Sequence, residues 1–178
     1  MPTNARSGVV WQTDPESEAV LEAAWHAAWA DFLSNRIAHA ERRAAPFLLS
    51  LPSVLDAARS QAPLCRSEDQ EDGDEALANR LVTLADMAHI AGAARADAGL
   101  LALAVDAYDC HLARRPSNTG AMRMRAETLL RCRRYDEAFE GFQQLYERSL
   151  GDHAATSAPL PVRQGAAADE PVLAASGS

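Results

Sequence analysis

Three groups of residues have types and spacings that could do chemistry. Asp86 and His89 stand three residues apart, and Glu22 and His26 stand four apart. On a helix each pair sets a carboxylate and an imidazole on one face, as in part of a carboxylate-bridged di-iron site. Such a site needs two Glu-x-x-His pairs and two further inward glutamates, and the sequence offers one approximate pair. Cys110 and His111 are adjacent but have no second ligand pair at zinc spacing. No metal or cofactor is therefore expected, and His39 and His111 are expected as surface or half-buried side chains. The third group is Arg123, Glu127 and Arg131. The two arginines fall within about 80° of each other on a helix, with Glu127 between them at the four-residue spacing of an ion pair. This group suits an anion such as a carboxylate or an acidic peptide segment, or else forms a self-neutralised, solvated face. No nucleophile elbow, phosphate loop or dinucleotide fingerprint occurs.

Composition narrows the classes further. The 178 residues carry a formal charge of −8, and all 17 basic residues are arginine. An acidic chain whose arginines do not gather on one face gains little counterion-release energy from nucleic acid, so neither nucleic acid nor an anionic membrane is an expected partner. The absence of lysine and the abundance of alanine point to a GC-rich, bacterial coding bias. Cys65, Cys110 and Cys132 are an odd set without framework spacing, which fits a reducing compartment. No secretory segment or bilayer-length apolar run is present, so the expected location is cytoplasmic.

The elements that would position these residues read as helices throughout, giving an all-α fold of antiparallel hairpins. Residues 1–14 read as a flexible arm. Asp14-Pro15-Glu16 is a helix start, and Leu21, Trp25, Trp29, Phe32 and Ile37 carry an amphipathic helix to about Arg43, ended by Pro46. A shorter helix from Leu51 or Pro52 to Gln61 completes an N-terminal helical pair over 15–62. Residues 63–74 are acidic and read as an exposed loop. Region 75–150 holds four helices: one from Glu75 ending at Gly92 or Gly99, then about 100–114, 119–133 and 135–149. Residues 151–178, rich in Ala, Gly, Ser and Pro, cannot offset ordering entropy and are expected to be disordered.

Within 75–150 one stretch carries a family resemblance. Tyr135, Ala138 and Phe142, preceded by Pro116, Ser117 and Asn118 and followed by Leu150 one period later, resemble a tetratricopeptide repeat of 34 residues. The first helix of that repeat carries Met122, Ala126, Leu129 and Leu130, and Ala126 and Ala138 let the two helices approach closely. Arg125 and Arg133 depart from the pattern, standing where leucine and a turn glycine are usual. Ala104, Tyr108 and Pro116 keep the period one repeat earlier, in a degenerate second copy. The resemblance implies a right-handed stack with a ligand-binding concave surface lined by the first helices. On this sequence that surface takes Asp86, His89, Arg123, Glu127 and Arg131, joined by Asn79 and Val82 if about seven residues are inserted.

Two repeats need a cap, and the tryptophan-bearing N-terminal helices are the expected one. The implied function is non-catalytic binding of a protein or peptide, as an adaptor or chaperone. Length, acidity and a ragged tail also resemble the small repeat-type chaperones of type III secretion. Two alternatives stand beside it. One is an all-helical enzyme or regulatory subunit with a site near Asp86, His89 and Glu127. The other is a homodimer through the Trp25/Trp29 face.

Overall fold

The computed structural model describes residues 15–60 and 68–156. The arm at 1–14, the segment 61–67 with Cys65, and residues 157–178 of the expected disordered tail lie outside the described residues. The described residues form seven helices: α1 (Pro15–Leu33), α2 (Ile37–Leu48), α3 (Leu51–Ser60), α4 (Glu68–Arg95), α5 (Ala98–Leu112), α6 (Thr119–Arg131) and α7 (Tyr135–Thr156). The all-α class and the antiparallel pairing follow from the sequence, but several boundaries move.

The single helix expected over 15–43 is two. Asn35 has φ 59°, the left-handed conformation that asparagine tolerates. Its N–H donates to the Phe32 carbonyl, and that of Arg36 to the Asp31 carbonyl, a Schellman closure of α1. Arg36 and Arg43 both pair with buried Asp31 and hold the turn; their hydrogen bonds keep its carboxyl below the usual aspartate range. Pro46 lies inside α2 rather than beyond it. The acidic segment from Glu68 onward is the start of α4 rather than loop, and α7 runs to Thr156, beyond the expected end of order at 150.

The turn recurs. Ala96 (φ 53°) and Arg133 (φ 60°) are the other two left-handed non-glycine residues among those described. The N–H of Asp97 donates to Gly92 and that of Arg134 to Leu129, each across five residues. Thus α1/α2, α4/α5 and α6/α7 are three hairpins closed by the same kind of turn. The α4/α5 turn falls at neither Gly92 nor Gly99. Gly92 is instead a contact point, where a Cβ would lie 2.9 Å from Leu101 Cγ. Gly141 is its counterpart in the last hairpin, facing Ala126 at 3.1 Å.

The hairpins form a linear array. The second helix of each packs on the first helix of the next (α2 on α4, α5 on α6), and first helices touch along one side (α1 with α4, α4 with α6). Helix α3 is inserted between the first two hairpins and covers α4 and α5. The core joins Leu21, Leu51, Leu55, Leu77, Leu81, Leu84, Met87 and Tyr108. Every residue from Leu84 to Gly92 is buried, as a central helix packed on several sides requires.

Candidate functional site

Two places hold side chains that the packing alone does not account for: a polar cluster inside the array and an apolar face at its end.

The cluster centres on Asp86. Its Oδ2 accepts from Trp25 Nε1 at 2.9 Å and Trp29 Nε1 at 3.2 Å, and its Oδ1 accepts from the Tyr108 hydroxyl. These three donors tie α1 and α5 to α4. Burial raises the Asp86 pKa, opposed by the three hydrogen bonds, and burial beside this carboxyl pushes the Tyr108 phenol well above its ordinary range.

His89, one turn on, is 1% exposed. Its Nδ1 lies 2.8 Å from Thr128 Oγ1, and that hydroxyl donates to the Met124 carbonyl at 2.6 Å. With its one proton so committed, Thr128 must accept, so Nδ1 carries the imidazole hydrogen. Trp29 and Phe32 lie against the ring. Burial, assisted by the charge of Arg131, lowers its pKa to about 4, so His89 is neutral near pH 7.

His111 is also fully buried, not at the surface or half-buried as expected. Its Nδ1 donates to the Ala78 carbonyl at 2.7 Å and its Nε2 accepts from Asn118 Nδ2 at 2.9 Å. Asn118 Oδ1 meanwhile caps α6 through the Ala121 N–H. Arg114 is 7% exposed, donating to the Ala58 and Cys110 carbonyls and pairing with Asp74. It staples α3 to α5 and belongs to no basic surface.

The seven residues expected on a concave surface therefore separate. Asp86 and His89 do not line an open groove, because α1 lies over them and its indoles close the carboxylate. Asn79 is exposed and Val82 half-buried on the same helix, beside the Arg80–Glu18 bridge to α1. Arg123 and Glu127 pair at 3.3 Å on the open face of α6, and Arg131 is exposed near its end. Glu127 thus sits outside while Asp86 and His89 face inward, so the three do not converge. Trp25 and Trp29 are half-buried with both N–H groups turned into the fold, which does not favour the alternative of a dimer through their face. Among the described residues no three His, Cys, Asp or Glu side chains gather to hold a metal ion. No described helix is long and apolar enough to cross a membrane.

The second place is the outward flank of the last hairpin. Helix α7 packs on α6 and on no other described element. Tyr135 (60% exposed), Phe139 (69%), Tyr146 (64%) and Leu150 (50%) stand in solvent, with Leu130 of α6 at 44%. Between the two helices runs a shallow cavity of about 550 Å³ lined by Thr119, Gly120, Arg123, Phe142, Leu145 and Tyr146 among others. Tyr135, at the start of α7, projects outward. A signal for this face is present in the sequence. Ala138, Gly141 and Leu145 lie toward α6, so Tyr135, Phe139, Phe142 and Tyr146, spaced four, three and four, form a second apolar stripe, in which Phe142 is half-buried and lines the cavity against α6.

Comparison of the chain with protein-family models, with curated proteins and with solved structures finds no match in any of the three.

Proposed function

We propose that this chain is a non-catalytic, tetratricopeptide-like protein-binding module, an adaptor or chaperone, and that it binds through the outward flank of α6/α7. The observation that carries the reading is the exposure of the α7 stripe. On α2 and α5 the corresponding flank is covered by the first helix of the next hairpin; on α7 the described residues leave it open. Exposed aromatic rings in such a row mark association surfaces, because each supplies large apolar area at small conformational cost. A helix laid across α7 and the edge of α6 would repeat the contact the array already makes twice.

Three hairpins with one turn type, second-helix-to-first-helix packing, and small residues at Ala126, Ala138 and Gly141 support the repeat reading. The inserted α3 is a departure from it. Over Asp86 and His89 the interior face that a repeat array ordinarily offers to ligands is taken by α1, which favours a recognition surface at the end of the stack.

The test is affinity capture from the source cells with the full chain and with Phe139→Glu/Tyr146→Glu. The reading predicts a set of proteins held by the parent and lost from the variant at equal helicity. Identical captured sets would refute it.

A further inference from the structure

We propose that two copies of this chain pair through α7, antiparallel, about a two-fold axis passing between Phe139 and Phe142. The inference rests on the proposed function and names the occupant of the same surface.

The stripe reads Tyr135, Phe139, Phe142, Tyr146, spaced four, three, four. It is the same in both directions, in spacing and in residue type. Two such helices laid antiparallel form four layers: Tyr135 on Tyr146 of the second copy, Phe139 on Phe142, and the two symmetric equivalents. Each layer joins like with like, which is what an isologous contact needs. The 4-3-4 spacing is that of alternating a and d positions, the seam along which two helices interlock. Asp136, Glu140 and Glu147 fall off the seam on the helical wheel. The antiparallel order also brings Arg134 to the level of Glu147 of the second copy, and Arg133 to that of Arg148.

The surface available sets the strength. With ~200 Å² per ring, Tyr135, Phe139 and Tyr146 at 60%, 69% and 64% exposure offer roughly 400 Å² in each chain. Two copies thus cover about 800 Å² before Leu130 and Leu150 are added, below the ~1,200 Å² at which standard specific interfaces begin. The pair is therefore weak and concentration-dependent. The segment after α7 is a poorer occupant on sequence: its large apolar residues are Leu160, Val162, Val172 and Leu173, without an aromatic, and Pro159 and Pro161 break any matching stripe. Both copies carry the −8 charge, so added salt tightens the pair.

Sedimentation velocity of the full chain across the micromolar range, at low and moderate salt, tests this. The mass is expected to rise from one chain of 19.1 kDa toward two, more readily with salt. Phe139→Glu is expected to stay at one chain while melting like the parent, since Phe139 is 69% exposed. The register is tested by charge exchange. Tyr135→Arg or Tyr146→Glu alone weakens pairing by about tenfold or more, and the double variant recovers most of that loss, because each arginine then meets a glutamate. A parent that stays monomeric throughout, a Phe139→Glu variant that pairs like the parent, or a double variant no better than the singles overturns the proposal. A monomeric parent whose capture of other proteins still depends on Phe139 and Tyr146 overturns self-pairing alone and leaves the proposed function standing.

Discussion

Lowering the pH should unfold this protein in large part through His89, and the size of the effect follows from its surroundings. In the unfolded chain His89 titrates at its ordinary value of 6.5, whereas burial against Trp29 and Phe32, with Arg131 nearby, holds the folded value to about 4. The folded state resists a proton that the unfolded state accepts. The contribution is therefore complete above pH 6.5 and is lost as the pH falls through the window down to about 4. Between pH 7 and 4.5 the loss is about 2 kcal/mol, a substantial part of the stability of a small domain. His111, whose pKa is also lowered, adds in the same direction, while the raised pKa of Asp86 acts in the opposite one. The assay is urea unfolding followed by far-UV circular dichroism at several pH values, for the parent and for His89→Gln, whose amide can still donate to Thr128. Asp86 and His111 titrate in both proteins, so the difference between the two pH curves isolates His89. The parent should lose about 2 kcal/mol more than the variant over this range. Parallel curves would refute the buried, neutral imidazole and the packing of α1 over it.

Asp86→Asn presents an amide N–H₂ to a site with three donors, so at least one indole or phenol hydrogen bond is lost. Destabilisation of about 2 kcal/mol is expected, with red-shifted tryptophan emission as α1 loosens. Ala96→Gly and Arg133→Gly relieve left-handed backbone at φ 53° and 60°; each is expected to stabilise by up to about 1 kcal/mol in the same urea assay, and destabilisation by both would contradict the turn geometry.

The helical class and the α4/α5 and α6/α7 pairings were legible because Leu77, Leu81 and Leu84, or Leu101, Val105 and Tyr108, repeat at helical spacing around residues that accept close contact, whereas the α1/α2 hairpin was read as one helix. The breaks were harder to read. Asn35, Ala96 and Arg133 terminate helices through backbone conformation, and only asparagine hints at it; glycines at 92 and 99 drew the boundary away from Ala96. Pro46 reads as a stop, yet it is accommodated within α2. The concave surface assigned to Asp86 and His89 failed for a tertiary reason. Whether a polar side chain on a first helix is open depends on what lies over it, and here the indoles of Trp25 and Trp29 supply donors that make burial tolerable. Arg123 and Glu127 pair at the spacing the sequence gives, because an (i, i+4) contact is local. The α7 stripe was present in the sequence, but repeat-like packing on Ala126 and Ala138 accounted for the same helix first.

The central claim is that the outward face of α7 is the surface this protein uses for association. Photo-crosslinking tests it most directly, with benzoylphenylalanine placed in turn at Phe139 and at Leu49, an exposed apolar residue (69% and 87% accessible) in each case. The account predicts a covalent protein adduct from position 139 and none from position 49, its mass showing whether the captured chain is a second copy. Adducts from position 49 with none from position 139 would contradict it.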